Sequence, residues 1–464
     1  MAALNSREIL MTVGSQFPVL VLSDSGRRTS RTFRRFTSEL QQSGGVLLPI
    51  GKRVRDVLEQ VRSAAPSTHV LFLGSTDAPL AGLVATIDTA VFRSFTQDVV
   101  YADKTQSLKT SMPEDVRRLP AWSPHRIEHE NFVGESFLVR IPFLLSIGSQ
   151  LDLESDWDSW AFLRAAKECA GRVAKVDETW FATSRVPRTS PVRSFTPPTS
   201  GLSASDCSLI TLTAGAQDTS RRFPTLVEEH LEAISGSSAT DAEQILVLGP
   251  ECPPALRATL ESRVSPKLKV VNVENAFNFA HRCNVGRTVS SGDITVLVND
   301  DFIPSRPDWL ERLLEPFSDP EVGITGATLL YADDTIQHVG VGVRHGNFHH
   351  FYVGAELTDP RIAQLVAMNR EVDAVTGACF AIRTKLFDDV GGLTEGFPLN
   401  YNDVDLCLKV RALGYSVVLV GAPLGYHLES RTRAAVSLPE ESLLFFSRWP
   451  HRASESDFPF ENLA

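Results

Sequence analysis

Short apolar runs recur along the chain, and between them lie segments whose apolar positions return every three or four residues. In the second half, the runs 209–213, 244–248, 268–273, 294–298 and 323–330 predict buried strands, and 223–234, 254–263, 279–289 and 309–317 predict the helices between them. Strands alternating with helices predict a mostly parallel sheet. Further on, 373–382 predicts a strand and 385–390 a short helix closed by Gly391-Gly392. A helix over 403–413 follows, with Asn402 as its N-cap and Gly414 as its C-cap, and then a strand at 416–420 leading to Tyr426-His427.

The first half repeats this plan more thinly, with strands at 19–22, 69–73 and 98–101 and helices at 32–41 and 80–91. There Asp156-Trp157-Asp158 opens a helical pattern reaching Cys169, as Asp403-Val404-Asp405 opens its counterpart. Between the halves, Pro187, Pro191, Pro197 and Pro198 mix with Ser, Thr and Arg, and apolar periodicity disappears. The expected organisation is an α/β domain over 1–185, a linker over 186–205 and a second α/β domain over 206–464.

A 464-residue chain with 43% hydrophobic and 22% charged residues has the composition of a soluble globular protein, and its net charge of -11 argues against a nucleic-acid partner. Six cysteines without C-x-x-C spacing indicate neither a zinc knuckle nor a disulfide framework, and suit a reducing compartment. The start of the chain lacks a signal-peptide core, and no run of about 18 apolar residues occurs. The expected location is cytoplasmic, with peripheral attachment to the inner face of a membrane and homo-oligomerisation left open.

Two acidic clusters bring chemistry into this frame. Asn299-Asp300-Asp301 closes a buried strand, at the sheet edge where open α/β folds bind ligands. Adjacent carboxylates there suit Mg²⁺ or Mn²⁺ completed by substrate phosphates, and equally suit a capped turn. Asp403 stands in the first helical turn at the rim of an apolar face, whereas Asp405 has a structural account in an i,i+4 pair with Lys409. His427 is a candidate nitrogen ligand, and His338, His349 and His350 remain open as metal ligands or acceptor-site groups.

Asn299-Asp300-Asp301, Trp309-Leu310, Thr335 through Gly340, Thr376-Gly377-Ala378-Cys379, Gly391-Gly392, Asn402 through Leu408 and His427 through Ser430 together resemble bacterial family 2 glycosyltransferases. The resemblance is closest to the rhamnosyltransferase and O-antigen or cell-surface polysaccharide branch. It implies a GT-A fold, a nucleotide-sugar donor such as a UDP- or dTDP-sugar, a saccharide or lipid-linked saccharide acceptor, Mn²⁺ or Mg²⁺, and inversion at the anomeric carbon.

Position by position, the resemblance makes Asp301 and His427 metal ligands and Asp403 the general base. Asn278, Asn284, Asn299 and Asp300 become donor-binding residues, and Gly377, Ala378, Asn402 and Trp309 face donor or acceptor. No acidic residue in 248–250 matches the one that reads the base in relatives. The first half resembles the same family more faintly, so two tandem GT-A-like domains are expected. Gly74-Ser75-Thr76-Asp77 replaces the acidic motif of the second half, and no imidazole occurs near 180–182, which implies a non-catalytic domain in which Asp77 is the one remaining cation candidate. Two rivals are a catalytically inactive scaffold or glycan reader, and a nucleotidyltransferase, for which 213–216 is a poor glycine-rich loop.

Overall fold

In the computed structural model the chain divides into two compact units, Met1–Pro191 and Val192–Ala464. The structure describes residues 19–23, 31–42, 46–63, 69–74, 77–80, 83–87, 96–105, 116–183, 188–189, 201–217, 222–344, 346–428, 438–450 and 456–458. Most of the expected linker, parts of the expected helix at 80–91, Ser75-Thr76 and Glu429-Ser430 lie outside them.

The first unit contains β1 (Val19–Ser23), β2 (Val46–Pro49), β3 (His69–Leu73), β4 (Asp77–Pro79), β5 (Val99–Thr105), β6 (Val116–Arg117), β7 (Glu130–Asn131), β8 (Phe137–Arg140), β9 (Val173–Thr183) and β10 (Arg188–Thr189). Its sheet runs β2-β1-β3-β8-β5-β9-β4 with β6 beside β5, and β7 pairs separately with β10.

The second unit contains β11 (Cys207–Thr213), β12 (Glu243–Leu248), β13 (Leu268–Asn272), β14 (Ile294–Val298), β15 (Phe302–Pro304), β16 (Val322–Leu330), β17 (Ile336–His338), β18 (Val341–Arg344), β19 (Asn347–His350), β20 (Arg370–Glu371), β21 (Cys379–Arg383) and β22 (Ser416–His427). Its sheet runs β13-β12-β11-β14-β21-β16-β22-β15, with β17 beside β16 and β20 beside β22, while β18 and β19 form a separate hairpin.

The second sheet is mixed rather than mostly parallel. β13, β12, β11 and β14 are parallel, but β21 lies antiparallel between β14 and β16, and β15 is antiparallel to β22. The expected strand at 373–382 is confined to β21, because 372–378 serve as a connecting segment whose backbone groups meet side chains and the β18 edge. Apolar runs report burial on both faces but not direction, which is why alternation overstated the parallel content. Helix Phe279–Thr288 packs on β11 through Gly286, where a Cβ would stand 2.5 Å from Ile210 Cγ2.

Strand order and direction are the same in the two sheets. β2-β1-β3-β8-β5-β9-β4 superposes in topology on β12-β11-β14-β21-β16-β22-β15, and every pairing along the path keeps its sense. Even the register slip recurs, between Ala102 and Asp103 in β5 and between Ala327 and Thr328 in β16. In register terms Thr183, opposite Asp77, takes the place of His427, opposite Phe302.

Candidate functional site

β14 is buried throughout, and the chain turns sharply at its carboxyl end: Asn299 N–H donates to Ala378 O (3.0 Å) and Phe302 N–H to Asn299 O (3.2 Å). The turn feeds β15, and the pairing of Phe302 with His427 brings the acidic cluster to the end of β22. His427 Nε2 lies 3.2 Å from Asp301 Oδ1 and 3.2 Å from Asn299 Nδ2. Behind the turn, fully buried His230 meets Phe302 O through Nδ1 (2.8 Å), and burial holds its pKa below the usual imidazole value. His230 therefore braces the chain at Phe302, next to Asp301, a support that no local motif announced.

An amide nitrogen can only donate, so with Asn299 as placed the single lone pair of His427 Nε2 accepts from Asn299 Nδ2–H, beside Asp301 Oδ1. A cation there would have to take that lone pair over from Asn299. Ligands about 2.1 Å from one octahedral ion stand roughly 3 Å apart, so the Asp301–His427 pair fits a Mn²⁺- or Mg²⁺-sized ion. Among the described residues no three or more His, Cys, Asp or Glu side chains close into a metal cage.

Asp403 occupies the adjoining edge. Tyr401 adopts a left-handed conformation (φ 61°) and caps helix Asn402–Ala412, so Asn402 lies inside the first turn instead of at the cap. Its buried amide turns inward to donate to Phe397 O (3.3 Å) and does not face a substrate. Asp403 Oδ2 accepts from Gly377 N–H (2.8 Å) and Oδ1 from Val404 N–H (2.8 Å). Below it, Glu441 of helix Pro439–Arg448 accepts from the N–H groups of Leu399 (2.7 Å) and Asn400 (2.9 Å), clamping the approach to the helix.

Asp405 is fully buried and structural. It meets Thr394 Oγ1 (2.7 Å), Trp449 Nε1 (2.9 Å) and Arg448 Nε (3.2 Å), besides the expected Lys409 (3.7 Å).

Three other expected site residues serve the fold. Trp309 is fully buried, packs on Phe302 and donates Nε1–H to Ser237 Oγ (3.0 Å), so it supports the acidic turn from beneath and faces neither substrate. Asn278 caps helix Phe279–Thr288 by accepting from His281 N–H (3.0 Å) and donates to Glu395 O (2.9 Å). Asn284 exchanges hydrogen bonds with Leu393 N–H and O (both 2.9 Å) and reaches Glu395 Oε1 (3.1 Å). Both asparagines thus fasten the 393–395 loop.

Asp300 is buried beside Cys252, whose thiol pKa is raised by burial first and also by this neighbouring charge. Near it stands Glu251, an acidic residue the sequence left unassigned. Fully buried Arg282 holds Glu251 through both guanidinium ends and stacks over Phe277 at 4.7 Å. Burial alone would raise Glu251, but the Arg282 hydrogen bonds and charge keep its pKa below the ordinary value. Of the three histidines left open, His338 is fully buried against Thr376 and His350, while His349 and His350 are exposed on β19.

The first unit builds the same turn: Asp77 N–H donates to Gly74 O (3.2 Å), as Phe302 does to Asn299. Its charges are closed internally. Asp77 Oδ2 accepts from Lys104 Nζ (2.8 Å), both side chains are buried, and Ser136 and Thr183 add hydroxyl donors. Lys104 Nζ would lie 2.5 Å from a Cβ on Gly134, the topological counterpart of Gly377.

Residues 238–441 match the family model described as "Glycosyltransferase like family 2". Uncharacterized protein y4gI of Sinorhizobium fredii is 36% identical over 184 residues, covering 39% of this chain and 20% of that protein. O-antigen biosynthesis protein RfbC of Myxococcus xanthus is 32% identical over 200 residues, covering 43% of this chain and 16% of that protein. The chain therefore spans a fifth or less of the length of these relatives. Among solved structures, mannosyltransferase PcManGT from Pyrobaculum calidifontis in complex with GDP-Man and Mn²⁺ aligns at a TM-score of 0.35 and 17% identity, over 56% of this chain and 65% of its own. GalNAc-T7 with UDP, GalNAc and Mn²⁺ aligns at 0.39 and 14% identity, over 48% and 43%. No helix among the described residues is long and apolar enough to cross a membrane.

Proposed function

We propose that the second unit is an inverting glycosyltransferase of the GT-A type, moving a sugar from a nucleoside-diphosphate donor to a saccharide hydroxyl, and that the first unit is a non-catalytic relative of the same fold. The observation that carries this reading is the placement of Asp403. Its carboxylate is fixed by Gly377 N–H at 2.8 Å, inside the segment that matches family 2 glycosyltransferases and beside the edge where Asp301 meets His427.

Asp403 accepts the proton of an acceptor hydroxyl as that oxygen attacks the anomeric carbon from the face opposite the leaving group. The carbon–oxygen bond to the diphosphate breaks, and nucleoside diphosphate departs with the bonding electrons. Asp301 and His427 would hold Mn²⁺ or Mg²⁺, which supplies positive charge to the departing diphosphate. Asp300 would contact the donor, and Glu251, oriented by Arg282, would read the base of a UDP- or dTDP-sugar. Similarity to the O-antigen protein supports a saccharide or lipid-linked acceptor in cell-surface polysaccharide assembly at the cytoplasmic side of the membrane, with rhamnose as one donor sugar to be assayed.

The test combines purified full chain, Mn²⁺ or Mg²⁺ and a panel of nucleotide sugars, with and without Asp403→Asn. Transfer is expected to fall about 10²- to 10⁴-fold, with donor affinity nearly unchanged. Transfer near the unmodified level would remove Asp403 from the reaction, and recognition of no donor would favour a scaffold or glycan-binding role.

A further inference from the structure

Asp403 is tied at one end of a longer ladder. Residues 373, 375 and 377 turn toward helix Asn402–Ala412: Asp373 Oδ1 accepts from Arg411 Nη1 (2.9 Å), the Val375 backbone hydrogen-bonds the Cys407 sulfur, and Gly377 N–H donates to Asp403 Oδ2 (2.8 Å). Ala374 and Thr376 turn the other way, Ala374 to the Val341 backbone of β18 and Thr376 N–H to His338 Nε2 (3.3 Å). Such alternation belongs to nearly extended chain, and positions 403, 407 and 411 form one stripe of the helix. Four helical residues advance about 6 Å and two extended residues reach at most about 7 Å, so the segment runs along the helix with little slack. A shift at the Arg411 end is therefore carried to the Gly377 end.

The Arg411 end is closed by chain from far away in sequence. Asp373 is buried, which pushes its pKa up, and Arg411 with the donors of segment 456–458 opposes that rise. Ser456 Oγ–H donates to Asp373 Oδ2, Asp457 N–H donates to Asp373 Oδ1 (3.2 Å), and Asp457 Oδ2 accepts from Arg411 Nη2 (2.5 Å). The Phe458 ring lies 5.2 Å from the Arg411 guanidinium, which is thus held by two carboxylates and an aromatic face. Ser456 also abuts β18, since a Cβ on Gly342 would stand 2.9 Å from its Oγ. Desolvation offsets much of the attraction within a buried ion pair, so stability alone is a weak account of this cluster.

We propose that Asp373 and Arg411 are positioning residues for the proposed base Asp403, and that segment 456–458 is the latch that holds them in register. Closed on the pair, the latch fixes 373–377 along the helix and so keeps Gly377 N–H on the Asp403 carboxylate. The proposal rests on the transferase reading. These residues act through Gly377 and Asp403, so their effect falls on turnover more than on binding: the orientation of the base counts when the acceptor hydroxyl gives up its proton.

The full chain, with Mn²⁺ and a nucleotide sugar it accepts, is compared with Ser456→Ala and Asp457→Ala, whose side chains are only partly buried and can be removed without emptying the core. A misplacement of about 1 Å can cost about 100-fold, so loosening one end of the ladder is expected to lower kcat about tenfold while donor Kd and acceptor KM stay within about twofold. Asp457→Asn, which keeps an acceptor for Arg411, is expected to recover part of the loss. In an Asp403→Asn chain, where the positioned carboxylate is gone, adding Asp457→Ala is expected to change the residual rate by about twofold or less. Hydrogen–deuterium exchange of a peptide spanning 372–378 is expected to quicken about threefold or more in both alanine variants. Unchanged kcat, a matching rise in acceptor KM or donor Kd, an undiminished loss in the Asp403→Asn chain, or unchanged exchange over 372–378 would overturn the proposal. A parent chain that transfers no sugar would overturn the transferase reading instead, and the exchange measurement would still decide the latch.

Discussion

Lys104→Met and Asp77→Asn, alone and together, test whether the first unit has internalised its cation. The ammonium and carboxylate are 2.8 Å apart, with side-chain exposures of 7% and 2%, so removing one partner strands the other in a poorly solvated site. Breaking a buried pair in this way costs about 3–5 kcal/mol, whereas replacing both partners by groups of similar shape is often nearly neutral. For a unit of this size, about 2–4 °C per kcal/mol puts each single variant roughly 6–20 °C below the parent. Trp122, Trp157, Trp160 and Trp180 are four of the chain's six tryptophans, so fluorescence-monitored melting is weighted toward the first unit. The double variant is expected to melt well above the sum of the singles. Strict additivity would refute the pairing. The pH dependence carries the same sign: burial raises Asp77, but Lys104 and the Ser136 and Thr183 hydroxyls more than offset it and hold the pKa below the ordinary value. A depressed carboxylate contributes stability that is complete above its unfolded pKa of about 4 and is lost as pH falls through the lower folded value. Acid melting of the parent should show this contribution, and Asp77→Asn should lack it.

Two further variants separate support from chemistry at the second site. Asp405→Ala removes a fully buried carboxylate from Thr394, Lys409, Arg448 and Trp449, and is expected to lower the unfolding free energy by about 3–5 kcal/mol, read by denaturant titration. An Asp403→Asn chain that melts like the parent, set beside a destabilised Asp405→Ala chain, would confirm the division of roles. Glu441→Ala strands the N–H groups of Leu399 and Asn400 and is expected to cost about 1–3 kcal/mol while lowering transfer more than donor affinity; unchanged stability would show that the clamp is unimportant.

The parts of this architecture written in contiguous sequence were the readable ones. β11, β12 and β14 follow from unbroken apolar runs, and the acidic turn and its histidine from residue type at a strand end. The direction of β21 was not readable, because it depends on how that strand inserts between β14 and β16. Asn278 and Asn284 resemble ligand contacts, and their hydrogen bonds to a loop more than a hundred residues away could not be read from the sequence. The cap of helix Asn402–Ala412 shifted by one residue because Tyr401 takes the left-handed conformation, and a tyrosine gives no warning of that. Glu251 escaped notice because its significance lies in Arg282, which reaches it from helix Phe279–Thr288.

The two sheets supply a comparison that neither could supply alone. Strand order, direction, register slip and the turn after β3 or β14 are shared, so differences at matched positions bear on chemistry more than on framework. Leu329 of β16 matches Lys104 of β5 in the pairing, and His427 matches Thr183. Where the first unit extends a lysine to its acidic turn, the second places a buried leucine and leaves Asp301 facing an imidazole. A tethered ammonium cannot leave with a product or make room for a diphosphate, and it stabilises its carboxylate whether or not a substrate is bound. An imidazole–carboxylate pair can share a mobile cation with substrate oxygens. On the proposed reading, the exchange of Lys104 for Leu329 and of Thr183 for His427 would separate a turn closed by its own charges from one that a substrate and its cation could complete.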